Sequence, residues 1–216
     1  VNGLPWGAVS LMRSYGIDTL LTGVNIDHGG FPGDRHDIWD WVGHDGSLVR
    51  VYAGEQYGTF QRVFRIHSQR SLGDMDEGWE EYAASIQVPG DRDWIMLTAT
   101  AERIPDCNGP WPLLARRIDE WNATARSPRL VLTTPEGVRA AIQACDPVAT
   151  RTGDWTDYWN FGCGATAQAT ARSRYARTLI NLAREFAPSV EDRWERDLER
   201  AEELVCLYGE HTWGAR

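Results

Sequence analysis

The sequence predicts an α/β fold in which helices cover a parallel sheet, followed by the first helices of a helical bundle. Two observations support this prediction. Up to about residue 146, short apolar and β-branched runs alternate with stretches of helical periodicity, which is typical of parallel strands joined by crossover helices. From about residue 147 onward the strand-like runs stop and two long amphipathic stretches follow. We therefore expect two domains, residues 1–146 and residues 147–216.

The first domain alternates strands with helices along the chain. Its strands are predicted from apolar runs rich in β-branched residues, at residues 18–26, 47–55, 93–101 and 128–135. Its helices are predicted from apolar residues at helical spacing, at residues 5–16, 74–87, 111–125 and 135–144.

The second domain is predicted to contain a pair of antiparallel helices, at residues 166–187 and 189–213. Each carries apolar side chains at helical spacing. These are Ala171, Tyr175, Leu179, Leu182 and Phe186 in the first helix, and Trp194, Leu198, Ala201, Val205 and Tyr208 in the second. Between the helices, Pro188 and Ser189 supply a helix stop and an N-cap.

Composition excludes several classes of function. The net charge of -9 and the absence of a basic stripe disfavour nucleic acid as a partner. The longest apolar runs are too short to span a bilayer, so we expect no membrane partner. The compartment stays open, with a cytoplasmic location favoured. Four widely spaced cysteines indicate free thiols rather than a disulfide framework. The oligomeric state stays open.

The segments that follow the predicted strands indicate the chemistry, because ligands of parallel α/β sheets bind at the carboxyl ends of the strands. These segments read NIDHGGFPGDRHD, GEQYGTF, AERIPDCNGPW and TPEG. They are rich in carboxylates, aromatic residues and glycine, and they lack a phosphate-binding GxxxxGK pattern. Such a composition is typical of a carbohydrate site, where aromatic rings stack on sugars and carboxylates bind hydroxyls or serve in catalysis.

Five segments, in sequence order, carry a resemblance to a known family: VNGLPWGAVSLMRSYGIDTLLTGVN, PDCNGPWP, PRLVLTTPEG, GDWTDYWNFGCGATAQATARSRYA and GEHTWGA. Together they resemble the central part of glycoside hydrolase family 38, the retaining, zinc-dependent α-mannosidases, in a bacterial branch. The resemblance implies hydrolysis of α-mannosidic bonds in glycans. It also implies that residues 1–146 are the C-terminal part of a β/α barrel-like catalytic domain, and that a helical bundle begins after it.

The resemblance implies zinc as cofactor, with His211 of GEHTWGA as the late histidine ligand of the family. Thr212 follows it where many members have an aspartate. From the residues alone, His211 reads as a helix-terminal histidine that interacts with the helix dipole. The nucleophilic aspartate of the family would directly precede Val1, and a His-x-Asp zinc pair would lie further upstream. We therefore expect these 216 residues alone to be inactive.

Asp106 matches the carboxylate that the family is proposed to use as acid/base, although an Asp-Cys-Asn turn is the alternative reading. Asn108 would then bind the same sugar or orient Asp106. Trp159 matches a tyrosine-tryptophan dipeptide of the family and is predicted to stack on substrate. Asp154 either caps the next helix or contacts substrate. Tyr57 is a further candidate for a hydroxyl contact, with core packing as the alternative.

The histidines of HDIWDWVGHDG, His36 and His44, are interpreted as surface residues or as residues behind the site, in a loop that leads to an aromatic strand. Two other classes of function stay open. One is a non-catalytic carbohydrate-binding relative on the same scaffold. The other is a different carbohydrate-active hydrolase, or a deacetylase, which would not need His211.

Overall fold

The computed structural model describes residues 4–23, 33–66, 71–100, 111–155, 164–186 and 192–209. The helices are α1 (Ala8–Ser14), α2 (Thr59–Val63), α3 (Leu72–Ala83), α4 (Pro112–Asn122), α5 (Pro135–Gln143), α6 (Ala167–Phe186) and α7 (Asp192–Tyr208). The strands are β1 (Thr19–Gly23), β2 (Ile38–Val42), β3 (Leu48–Gly54) and β4 (Ala149–Arg151). The chain divides into two compact units after Trp155. The sequence-based boundary lies at residue 146, and β4 is the element between the two positions.

The sheet of the first unit is mixed, with strand order β1-β3-β2-β4. β1 pairs with β3 in parallel, and β2 pairs with β4 in parallel. β2 and β3 form an antiparallel hairpin, which the prediction of a parallel sheet did not include. The hairpin turn is closed by a hydrogen bond from the Gly43 N–H to the Ser47 carbonyl at 2.8 Å. Gly46 takes the left-handed conformation that the turn requires, with φ of 80°.

Residues 93–100 are predicted as part of a strand, but in the structure they do not form one. The segment is partly buried and packs on two sides, since Trp94 and Met96 contact one core cluster and Leu97 and Ala99 contact another. Its backbone, however, bonds outside a ladder: the Met96 N–H donates to the Tyr52 hydroxyl at 2.9 Å. The apolar pattern indicates packing on two sides. A strand in a sheet and an extended segment outside a sheet can both have this pattern.

Residues 128–134 do not form the predicted strand either. The side chain of Asn122 accepts from the Leu130 N–H at 2.9 Å and donates to the Leu130 carbonyl at 2.7 Å. The Asn122 side chain thus makes the two hydrogen bonds with the Leu130 backbone that a neighbouring strand would make in a sheet. Val131 and Leu132 are 72% and 55% exposed, so the apolar run is not a buried strand.

Buried aromatic residues build the core around the sheet. Trp39 and Trp41 of β2 are fully buried and both contact Trp155, with ring centroids 4.6 and 4.1 Å apart. A second cluster joins α2, α3 and α4 through residues that include Phe64 and the fully buried Trp121. Among the described residues, the four tryptophans Trp39, Trp41, Trp121 and Trp155 are core residues, so the tryptophan content does not by itself indicate a sugar site.

Helix α3 is fixed at its start and packed closely along its length. Ser71 and Asp74 form a capping box, in which each side chain bonds the backbone N–H of the other residue. Gly78 allows the close approach of α2, because a Cβ at this position would lie 2.0 Å from the Val63 carbonyl oxygen. This contact sets the position of Tyr82, one turn further along α3.

The second unit contains α6 and α7, which run antiparallel. The Tyr208 hydroxyl, at the end of α7, lies 2.8 Å from the Thr170 hydroxyl near the start of α6. At the other end, Arg184 of α6 donates to Glu202 of α7 at 3.0 Å. Within the parts of the chain described above, no helix is long and apolar enough to cross a membrane.

Candidate functional site

A cavity of about 500 Å³ lies at one end of the sheet, where β3 ends and β2 begins. The sheet brings the two together because β2 runs antiparallel to β3, so residues before Ile38 lie beside residues after Gly54. The cavity is lined by Asp34, Arg35, Glu55, Thr59, Arg62, Val63, Tyr82, Ser85, Ile86 and Gln87. It is therefore formed by the end of β3, the start of β2, α2 and the end of α3.

Glu55 is the buried carboxylate of this cavity. It directly follows β3, and its side chain is only 3% exposed. Arg35 Nη1 donates to its Oε2 at 3.0 Å and to its Oε1 at 3.2 Å. The Tyr82 hydroxyl donates to Oε1 at 3.0 Å. Because a guanidinium and a hydroxyl both donate to it, Glu55 acts as a hydrogen-bond acceptor in this cavity.

The backbone beside Glu55 is tightly packed. Gly23 and Gly54 are paired at the parallel ends of β1 and β3. A Cβ at Gly23 would lie 2.3 Å from the Glu55 carbonyl oxygen. Glycine is therefore required here so that the chain can turn out of β3 and direct Glu55 to the cavity.

His36 lies behind Glu55 and is fully buried. Its Nδ1 lies 2.7 Å from the Tyr52 hydroxyl and its Nε2 lies 2.8 Å from the Tyr82 hydroxyl. The residue has a positive φ of 67°, a conformation in which histidine is enriched among non-glycine residues. Its backbone N–H donates to the Ala53 carbonyl at 2.7 Å, which anchors the left-handed turn to β3.

Burial controls the protonation of this cluster. Desolvation lowers the pKa of His36 to about 4, against the opposing attraction of Glu55, so the ring is neutral at pH 7. Desolvation raises the pKa of Tyr52 to about 12. It also raises the pKa of Tyr82, where the nearby charge of Glu55 adds to the effect. Both tyrosines therefore keep their protons and can donate hydrogen bonds at neutral pH.

Arg92 supports the cluster from the other side. Its guanidinium lies over the rings of Tyr52 and Trp94, 5.5 and 4.9 Å from the ring centroids. It also donates to the carbonyl oxygen of His36. Since it bonds the backbone of one member and stacks on the ring of another, it fixes the distance between His36 and Tyr52.

The charged side chains of the cavity wall balance one another. Asp34 and Glu55 supply two carboxylates, and Arg35 and Arg62 supply two guanidinium groups. A second cavity, of about 570 Å³, adjoins the first and shares Asp34 and Gln87 with it. The wall of the first cavity therefore presents hydrogen-bond donors and acceptors and has no net charge.

Four of the residues singled out in the sequence, Asp106, Asn108, Trp159 and His211, lie outside the described residues. The roles assigned to them stay predictions. Among the residues that the structure describes, no three histidine, cysteine, aspartate or glutamate side chains are grouped so that they could hold a metal ion. The described residues therefore do not form a zinc site on their own.

Tyr57 and Asp154 are both described, and neither lines the cavities. Tyr57 lies in the turn before α2 and is 44% exposed. Asp154 Oδ1 accepts from the backbone N–H of Trp6 at 2.6 Å, beside the start of α1. Asp154 thus connects the N-terminal segment to the residues after β4.

The two histidines of the β2 hairpin have different surroundings. His36 is a buried member of the cluster behind the cavity. His44 lies in the hairpin turn, where its ring contacts the edge of Trp6 at a centroid distance of 6.2 Å.

Sequence reasoning missed Glu55 and two residues behind it, Tyr52 and Tyr82, and it interpreted His36 as a surface residue or a residue behind the site. One signal was available for Glu55, because it is the second residue of GEQYGTF, a segment at the end of a predicted strand. No pattern indicated Tyr52 or Tyr82. These two residues and His36 come from β3, the end of α3 and the segment before β2, and only the folded chain brings them together.

Comparisons of this chain with protein-family models, with curated proteins and with solved structures find no match.

Proposed function

We propose that this protein is an α-mannosidase-like glycoside hydrolase that binds its sugar in the cavity beside Glu55. The observation that carries the proposal is the balance of two carboxylates, Asp34 and Glu55, and two guanidinium groups, Arg35 and Arg62, among the residues that line that cavity. A sugar hydroxyl can donate to a carboxylate and accept from a guanidinium, so a neutral polyol is matched by such a wall. An anionic or cationic ligand would add an uncompensated charge.

The position and size of the cavity support the same proposal. It lies at the carboxyl end of the parallel β1–β3 pair, where ligands of α/β proteins bind. Its volume of about 500 Å³ is in the range of small-molecule sites. The resemblance to the α-mannosidases adds the reaction class. It assigns the acid/base role to Asp106, sugar contacts to Asn108 and Trp159, and a zinc ligand to His211.

Binding is the measurement that tests the cavity directly, because it does not depend on which residues perform the chemistry. We expect methyl α-mannoside to bind in a calorimetric titration. We expect Glu55→Gln to weaken binding by about tenfold or more, since a hydrogen bond to a charged group contributes about 1.5–3 kcal/mol. Glu77→Gln is the matched control, because Glu77 also accepts from an arginine, Arg65, but is 69% exposed.

The outcomes separate the alternatives. Failure of mannosides, glucosides and galactosides to bind would overturn the carbohydrate proposal. Binding that survives Glu55→Gln unchanged would remove Glu55 from the site. If the full gene product binds mannosides but does not hydrolyse aryl α-mannosides with zinc present, the non-catalytic relative replaces the hydrolase.

The proposed zinc role of His211 has its own test. The full gene product is expected to contain one divalent metal, and His211→Ala is expected to lose it. Elemental analysis of both proteins measures this directly. Equal metal content would show that His211 is not a ligand, and His44→Ala serves as the control substitution.

A further inference from the structure

We infer that the hydrogen bonds linking Met96, Tyr52, His36, Tyr82 and Glu55 run in one direction only, and that Tyr82 is the positioning residue that fixes Glu55 as an acceptor for a ligand hydroxyl. The second part of this inference rests on the proposed carbohydrate function. The first part is a property of the fold and can be tested without a ligand.

The direction follows from the two ends of the series. At one end the Met96 N–H can only donate, and it does so to the Tyr52 oxygen at 2.9 Å. At the other end the Glu55 carboxylate can only accept, and it takes the Tyr82 proton at 3.0 Å. Each tyrosine has a single hydroxyl proton, so Tyr82 cannot donate to His36 as well. Tyr82 must therefore accept from the ring.

This requirement fixes the tautomer of His36. A neutral imidazole has one N–H, and Nε2 must carry it in order to donate to the Tyr82 oxygen at 2.8 Å. Nδ1 is then the acceptor, and the Tyr52 hydroxyl donates to it at 2.7 Å. Every donor and acceptor in the series is used once in this arrangement. The opposite tautomer would set two donors against each other at Nδ1 or leave Tyr82 without a proton for Glu55.

The series leaves Glu55 with one defined function. Arg35 and Tyr82 together occupy Oε1, while Arg35 is the one partner of Oε2 found in the described part of the chain. Oε2 therefore keeps acceptor capacity on a carboxylate that lines the cavity. In the proposed site Glu55 therefore accepts a ligand hydroxyl at Oε2, while the acid/base role stays with Asp106.

Nitrogen NMR of the imidazole ring tests the direction. His36 is assigned by elimination, because single glutamine substitutions at the other histidines each remove one signal; these are His28, His44, His67 and His211. At pH 7 we expect a protonated Nε2 and an unprotonated Nδ1. A protonated Nδ1, or an imidazolium ring, would overturn the inference.

Glu55→Gln supplies a second measurement. Glu55 has no direct hydrogen bond to His36, since the nearest atoms, Nε2 and Oε1, are 3.7 Å apart. A glutamine amide can donate as well as accept, so it no longer imposes a direction on Tyr82. We therefore expect His36 to become a mixture of tautomers in Glu55→Gln, and to stay in the Nε2–H form in Glu77→Gln. An unchanged tautomer in Glu55→Gln would contradict a series that is directed by Glu55.

Tyr82→Phe tests the positioning role with a ligand. Loss of the hydroxyl removes one of the donors that orient Glu55, so we expect affinity for methyl α-mannoside to fall by about three- to tenfold. Tyr15→Phe is the control, because Tyr15 is 78% exposed. Equal affinity in Tyr82→Phe and wild type would overturn the positioning role. If the wild type binds no sugar, the ligand role falls with the proposed function, while the tautomer measurement still decides the direction.

Discussion

Arg50 Nε lies 2.9 Å from Asp40 Oδ1, in a pair of residues that face each other across the β2–β3 hairpin. The same guanidinium donates to the carbonyl of Cys145 at 2.8 Å and to that of Gln143 at 3.3 Å, at the end of α5. Cations stabilise helix C-termini, because the last carbonyls there lack partners within the helix. Arg50 therefore connects the sheet to α5, and Asp40 compensates its charge.

Asp40→Asn is expected to lower the free energy of unfolding by about 1–3 kcal/mol, because it leaves a largely buried guanidinium without its counter-charge. Urea denaturation measures the change. Glu203→Gln is the control, since Glu203 pairs with Arg200 and both side chains are more than half exposed, so its loss should cost less than about 1 kcal/mol. Equal effects of the two substitutions would argue against a structural role for the Asp40–Arg50 pair.

Gly78→Ala is expected to destabilise the protein by about 1–3 kcal/mol, because the added Cβ would overlap the Val63 carbonyl oxygen. Gly73→Ala in the same helix is the matched substitution. The nearest atom to its Cβ would be 3.5 Å away, so replacement of glycine should be neutral or stabilising by up to about 1 kcal/mol. Thermal unfolding of both variants compares them, and a stable Gly78→Ala would show that α2 and α3 can separate without cost.

Stability is expected to fall as the pH drops from about 6.5 to about 4, because the pKa of His36 is lowered to about 4 in the folded protein. In this window the unfolded chain binds a proton at His36 and the folded chain does not, so folding is favoured at higher pH. The loss over the whole window is at most about 3 kcal/mol.

Urea denaturation at several pH values measures this loss, and the interval from pH 6.5 to 5 is the most informative, since it lies above the ordinary range of carboxyl groups. His44→Gln should keep the same pH dependence. NMR titration of the His36 ring gives the midpoint directly. A midpoint near 6.5 would contradict the burial that the structure gives to this ring.

Asp18 is expected to titrate at about pH 2, because its hydrogen bonds with Arg139 lower the pKa of the carboxyl group. The group stabilises the fold above the unfolded pKa of about 4, and this contribution is lost as the pH falls towards 2. The side chains are 27% and 46% exposed, so solvent screening limits the contribution to about 0.5–1 kcal/mol. Carbon NMR of the carboxyl group measures the midpoint, which Arg139→Gln should move towards 4; an unmoved midpoint would exclude Arg139 as the cause.

The elements whose signals are local could be predicted from the amino-acid sequence. The β1 and β3 strands lie inside runs of apolar, β-branched residues, and α5 begins at a Thr-Pro pair that supplies an N-cap and a first helical residue. The periodicity of residues 166–187 likewise predicted α6. Such signals need only a few neighbouring residues, because propensity, capping and amphipathic spacing act within a turn or a strand.

Which apolar runs join the sheet, and which polar side chains meet, depends on contacts between distant parts of the chain. Residues 93–100 pack on two sides and are partly buried, but their backbone bonds to Tyr52 and Phe60 and forms no ladder, so only their sequence pattern is that of a strand. His36 and Tyr82 are 46 residues apart and share a hydrogen bond because a left-handed turn and the close packing of α3 against α2 place them together. Contacts between distant segments depend on packing, which periodicity within one segment does not encode.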